Sequence, residues 1–223
     1  KLLSNPDRKE KLLQFLDEAE HLAKPDASLS RRIAMDRRFL TEEWILPNEQ
    51  IRRKEGKSLQ APLPISPIRI DGSLDEEAWN NASFCSDFCS RTAEKQQLPN
   101  VLKTSLGILS DSENLYLSIS AKDPAMSALK AEARGIVKNW ADFADDALLQ
   151  IMLVPVNVTN HYYQIVCNAN AALFQLRQPG STPYSLEIEA AAKRHDDAFC
   201  IELRIPFKNM DGDFMPGSSL GIH

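Results

Sequence analysis

Only eight glycines occur in 223 residues, and none belongs to a glycine-rich phosphate loop; H-E-x-x-H is missing as well. The common phosphate-binding and zinc-protease chemistries therefore have no anchor here. An excess of positive charge is lacking too. The 26 Lys and Arg stand against 31 Asp and Glu, a net charge of -5, so no basic patch is at hand to neutralise a phosphate backbone. Nucleic acid is not an expected partner. No apolar run approaches the ~20 residues needed to cross a bilayer, and no membrane contact is expected. Cysteine is sparse, and Cys167 and Cys200 fall inside strand-like patterns where zinc ligands rarely sit. For Cys85 and Cys89 a disulfide and free thiols both remain open. The histidines His21, His161, His195 and His223 are scattered, and no two carboxylates are marked as a facing pair of the kind a glycosidase uses. No catalytic residue is assigned.

What is present falls into three stretches. Residues 1–46 read as a helical hairpin. Asn5-Pro6 supplies a cap and a first-turn proline, and Leu12, Phe15, Leu16, Ala19 and Ala23 then recur at helical spacing up to Lys24-Pro25. A second helix starts near Ser28, with Leu29, Ile33, Leu40 and Trp44 on one stripe. Two helices bury too little surface to stand alone, so an upstream domain of the same chain is the expected partner. Lys1 is not an initiator Met and the C-terminus reads as the start of a strand. The chain is thus expected to be a piece of a longer polypeptide. Residues 47–67, with prolines at 47, 62, 64 and 67, read as a semi-rigid linker.

From residue 68 the period changes to two. Apolar residues alternate through 102–109, 115–121, 146–154, 161–168, 186–192 and 199–205. The polar stretch Asp111-Ser112-Glu113-Asn114 separates the first two as a hairpin turn. Six one-faced strands without long alternating helices predict a mainly β protein, an antiparallel β-sandwich of jelly-roll-like kind over residues 68–223.

Particular residues narrow this further. The run Ile68-Arg69-Ile70-Asp71-Gly72-Ser73-Leu74-Asp75-Glu76-Glu77-Ala78-Trp79 resembles the opening of carbohydrate-binding module family 9-like domains. Four more stretches resemble that family in the same order: Asp111 to Tyr116, Asp145-Asp146, Tyr163 to Asn170 with its Y-Q-x-x-x-N-x-N pattern, and Ile201 to Phe207 with E-x-x-I-P-F. Asp71-Gly72 suits a turn, Asp75 can cap a short helix, and Trp79 on that helix reads as core. Departures also occur. Gln150 stands where the family commonly has Glu, Ala171 where it often has Gly, and the terminal strand from Leu220 reads as cut short.

The resemblance implies a non-catalytic module that binds an oligosaccharide or polysaccharide for a larger carbohydrate-active, glycoside hydrolase-like bacterial protein. It also implies a secreted, periplasmic or cell-surface location. The helical hairpin loosely resembles the tail of a glycosidase-like region. Sugar recognition needs an apolar face to stack on pyranose C–H groups and planar polar groups to pair with hydroxyls. Trp140, in a long loop and off any core stripe, is the candidate platform; Tyr162, Gln164, Asn168 and Arg204, opposite the core-facing positions of their strands, are the candidate polar contacts. Family 9 modules are known for bound calcium, and Asp142, Asp145 and Asp146 are the candidate ligands. The competing reading is a structural sandwich that packs on its parent enzyme and presents only a solvated polar face.

Overall fold

The computed structural model describes residues 11, 14–19, 21, 58–86, 88, 103–143, 146–155, 161–178, 182–212, 214 and 218–222. The chain divides into two compact units, Lys1–Ser58 and Leu59–His223. In the first, residues 14–19 are helical, with Leu16 buried and Phe15 exposed. The second expected helix and the linker as far as residue 57 lie outside the described residues. No helix among the described residues is long and apolar enough to cross a membrane.

The second unit is a β-sandwich, with ten strands among the described residues. In chain order they are β1 (Ser83–Cys85), β2 (Thr104–Ser110), β3 (Asn114–Lys122), β4 (Leu148–Pro155), β5 (Tyr162–Asn168), β6 (Leu173–Gln178), β7 (Thr182–Pro183), β8 (Glu189–Arg194), β9 (Ala198–Pro206) and β10 (Leu220–Ile222). The first sheet runs β1-β2-β3-β9-β8 and the second β10-β4-β5-β6-β7, all pairs antiparallel. Alternation fixes which side chains meet between them. Leu117 and Ile119 of β3 and Ile201, Leu203 and Ile205 of β9 face Ile151, Leu153, Tyr163, Ile165 and Cys167 of β4 and β5 in one core. Each such aliphatic side chain, fully buried, contributes ~1.5–3 kcal/mol, and a slip of one residue would turn a whole set to the other side.

The β2–β3 hairpin shows how register is pinned. Asp111 Oδ1 accepts the backbone N–H of Glu113 at 2.8 Å and of Asn114 at 2.7 Å, while its Oδ2 accepts the Tyr116 hydroxyl at 2.8 Å. Ser110 is thereby held opposite Leu115. On the outer side of this sheet, Trp79 lies in a 3-10 helix, Glu77–Asn81, and packs with Ala78, Leu109 and Tyr116. The cap position belongs to Glu76, with no side-chain hydrogen bond, and not to Asp75 as its spacing suggests. Ahead of the helix, the extended strap is fastened to the sandwich. The Ser110 N–H donates to the Pro62 carbonyl at 2.9 Å, and Asn81 Nδ2 donates to that of Leu63 at 3.1 Å.

Several strands differ from expectation for physical reasons. All seven residues of β5 are buried, as are five of the six in β6, because the outward residues of these two strands pack as well, in an apolar cluster at one end and a Gln164–Gln178 pair at the other, and apolar residues no longer alternate with polar ones. In the stretch beginning at Leu186, pairing starts only at Glu189. Glu187 has φ +55, a left-handed conformation incompatible with a continuing ladder. The terminal segment is a strand that pairs with β4, Gly221 opposite Val154.

Candidate functional site

The outer face of the second sheet is assembled from alternate residues of three strands. Gln150 and Met152 come from β4, Tyr162, Gln164 and Val166 from β5, and Phe174, Leu176 and Gln178 from β6. Register places Gln150 opposite Val166, Val166 opposite Phe174, and Gln164 between Met152 and Leu176. At one end Val137, Phe143, Val166, Ala172, Phe174 and Leu176 form a second apolar cluster. Trp140 lies on it, half-buried in the 3-10 turn Trp140–Phe143, edge-on to Phe174 with ring centroids 5.7 Å apart and 6.3 Å from Phe143. At the other end Gln178 Nε2 donates to Gln164 Oε1 at 2.7 Å, and Tyr162, Gln164 and Gln178 are buried. No charged side chain belongs to this set.

Asn168, two residues beyond Val166 on the same strand, has another task. Its Nδ2 donates to the Ala133 carbonyl at 2.9 Å and to Asp146 Oδ2 at 2.7 Å, while its Oδ1 accepts the N–H groups of Asn170 and Ala172, both at 2.9 Å. Asp146 in turn accepts the N–H of Glu132 at 2.7 Å and of Ala133 at 3.1 Å. Asn170 Nδ2 adds a bond to the Ala131 carbonyl at 2.6 Å. These three side chains clamp the long loop that carries Trp140 against the β5–β6 turn.

Arg204 is not brought to this face. It lies on β9 in the first sheet, on the opposite side of the sandwich, paired with Glu189 of β8. Alternation reveals which side of its own strand a residue occupies, but not which sheet that strand joins. Residues outward on both sheets therefore merge into one imagined groove. The same limit hides Glu202. It points outward by parity yet is fully buried, since Oε1 accepts Trp79 Nε1–H at 2.8 Å and Oε2 accepts the N–H of Asp71 at 3.0 Å and Gly72 at 2.7 Å. Burial raises its pKa, against the opposing effect of those donors. Gly72 has φ +83, and a Cβ there would stand 2.6 Å from the Ala192 backbone. The Asp-Gly motif is thus an arch pressed onto β8 and held by a buried carboxylate. Five motifs mark this architecture in sequence; the roles of Glu202 and Asp146 become legible only once their partners are in place.

Calcium takes six to eight oxygen ligands. Asp146 already accepts three N–H donors, Asp142 is exposed, and Asp145 lies outside the described residues. A second acidic group, Asp71, Glu76 and Glu202, brings one ligand atom each within 4.8 Å of one another. There Glu202 is saturated by N–H groups, Asp71 bonds the Ser73 N–H and Arg69, and only Glu76 Oε2 is buried without a partner. The carboxylates of the second group are thus largely engaged by protein donors, as is Asp146 of the first. Cys89, the other half of the Cys85 pair, also lies outside the described residues.

Two stacked five-stranded antiparallel sheets, with an aromatic-bearing loop fastened over the outer face of one, define a β-sandwich of the carbohydrate-binding-module class. The chain belongs to the carbohydrate family 9 binding domain-like family, whose model matches residues 70–223. A family 9 carbohydrate-binding module from Caldicellulosiruptor kristjanssonii, solved in complex with glucose, is similar at 18% identity and TM-score 0.50, covering 73% of this chain and 74% of that one. The structure of that organism's module with cellotriose gives 17% and 0.48, with coverages of 73% and 73%. A candidate carbohydrate-binding protein from Bacteroides uniformis gives 15% and 0.54, with coverages of 72% and 78%. At these identities the likeness concerns the fold. No curated protein sequence matches the chain.

Proposed function

We propose that the second unit is a non-catalytic saccharide-binding module and that the outer face of its second sheet is the binding surface. The observation that carries this is the juxtaposition of Trp140 with an uncharged face bearing Gln150 and Gln164. An indole stacks on sugar C–H groups and a planar amide both donates to and accepts from paired hydroxyls. In this reading Trp140 and the half-buried Gln150 touch the sugar. Gln164 and Tyr162, buried beside them, orient the surface from below. Asn168 acts through the loop it clamps, and Arg204 has no part. Membership in the family and the neighbour solved with glucose support the assignment.

In a larger carbohydrate-active protein of glycoside hydrolase type, such a module raises the effective concentration of a catalytic domain at its polymer. The N-terminal helices then belong to the tail of that upstream domain. The location that suits polysaccharide is outside the cytoplasm: secreted, periplasmic or on the cell surface.

A second reading has its own support. Trp140 packs edge-on against Phe174, and Tyr162, Gln164 and Gln178 are buried, as suits a structural sandwich that takes no sugar. Calorimetric titration of the full chain with glucose and cellotriose separates the two. Binding by the wild type that weakens tenfold or more in Trp140→Ala, a change of ~1.4 kcal/mol, is the expected result. The absence of binding to these and to a panel of other saccharides by the intact chain would establish the structural reading.

A further inference from the structure

At the end of the second sheet, away from Trp140, three side chains meet on one carboxylate oxygen, that of Asp211. Asp211 Oδ2 receives His161 Nε2 at 2.9 Å, the Tyr163 hydroxyl at 3.1 Å and Arg177 Nη2 at 3.1 Å. The Asp211 N–H donates back to the Tyr163 hydroxyl at 2.8 Å. Arg177 Nη2 also lies 3.3 Å from His161 Nδ1. These contacts fix the tautomer. Nε2 carries the proton it gives to Asp211, and Nδ1 is the bare acceptor facing the guanidinium. The ring is buried, while the side chains of Arg177 and Asp211 are 40% and 48% exposed.

The cluster fastens one segment. Asp211 follows the 3-10 turn Phe207–Asn209 and core residue Met210, and precedes β10, which edges the second sheet beside β4. Tyr184 reinforces it, its hydroxyl donating to the Asn209 carbonyl at 2.8 Å and its ring packing 5.3 Å from that of Tyr163.

We propose that His161, Arg177, Asp211 and Tyr163 form an acid-released latch on the segment that carries Asp211, loosened when His161 Nδ1 takes up a proton. A proton on Nδ1 removes the acceptor that Arg177 uses and sets a second positive charge, on a buried ring, 3.3 Å from its guanidinium. The repulsion pushes the partly exposed Arg177 off the ring toward water, and its hold on Asp211 loosens. Among the described residues the charged groups facing the ring are Arg177 from β6, which opposes protonation, and Asp211, which favours it; Tyr163 from β5 stays neutral, its pKa pushed up to about 12 chiefly by burial. Burial and Arg177 together outweigh Asp211, and the ring's pKa lies below its ordinary value. The folded pKa being depressed, the unfolded chain protonates first. Stability from the latch is complete above the unfolded value of ~6.5 and is lost as pH falls from there through the folded value.

Two measurements on the full chain test this. Thermal melts of wild type and His161→Gln from pH 8 to 5 form the first, since glutamine can keep a donor toward Asp211 without titrating. The wild type is expected to lose ~3–5 °C for each unit by which the ring's pKa is depressed, and the variant to lack that loss; identical pH profiles would overturn the proposal. The second needs no variant. An NMR titration of the His161 ring should show the Nε2–H tautomer at pH 8 and a midpoint below 6.5. Faster exchange of the Asp211 amide should accompany protonation, once the intrinsic pH effect is removed. A midpoint at or above that value, or unchanged Asp211 protection through it, would overturn the latch even if His161→Gln failed to fold.

Discussion

Ala171 stands where the family often has glycine, and its backbone has φ +57. A left-handed conformation costs an alanine ~1–2 kcal/mol, of which glycine's greater freedom when unfolded returns part. Ala171→Gly is therefore expected to stabilise the sandwich by ~0.5–1 kcal/mol, read as a higher midpoint in urea unfolding. Asp111 makes the opposite case. Partial burial alone would raise its pKa, but the N–H groups of Glu113 and Asn114 and the Tyr116 hydroxyl outweigh that and hold it below the usual range. Its contribution is present above the unfolded value of ~3.9 and fades as pH falls through the depressed folded one. Asp111→Ala should cost ~2 kcal/mol at pH 7 and less in acid, so the gap between mutant and wild-type unfolding midpoints narrows below pH ~4. Neither residue lies on the proposed binding surface, and neither change should alter a saccharide titration.

At the level of the element, how much could be read from sequence depended on how many faces a strand buries. β2, β3, β4 and β9 present one apolar side in sequence, and alternation locates them. β6 escapes because Leu173 serves the inner core while Phe174 and Leu176 serve the outer cluster, which leaves no period-two signal. β1 and β7 are three and two residues long, too short to carry a pattern. The Trp140 loop is legible as a loop, yet not as one clamped by Asp146, Asn168 and Asn170, because those contacts span 13 to 39 residues of chain. The clamp is testable apart from any ligand. Asp146→Ala leaves the N–H groups of Glu132 and Ala133 and the Asn168 amide without their acceptor, a loss of ~2–4 kcal/mol. Limited proteolysis should then cut within residues 129–143 before the sandwich unfolds; an uncut loop would show that other contacts hold it.

Over the whole molecule, the two sheets have outer faces of different character. The first is covered at its centre by the Asp-Gly arch and Trp79, sealed by the buried Glu202 carboxylate, and Arg204 is spent on Glu189. The second carries amides and aromatic rings under a loop. The uncharged second face predicts saccharide binding that varies little with salt. Mapping cellotriose onto the 15N-labelled chain by NMR tests the central claim most directly. The account predicts concentration-dependent shifts at the Trp140 indole N–H and the Gln150 side-chain amide, with the first sheet unmoved, whereas an unperturbed spectrum, or shifts confined to the surface around Arg204, would contradict it.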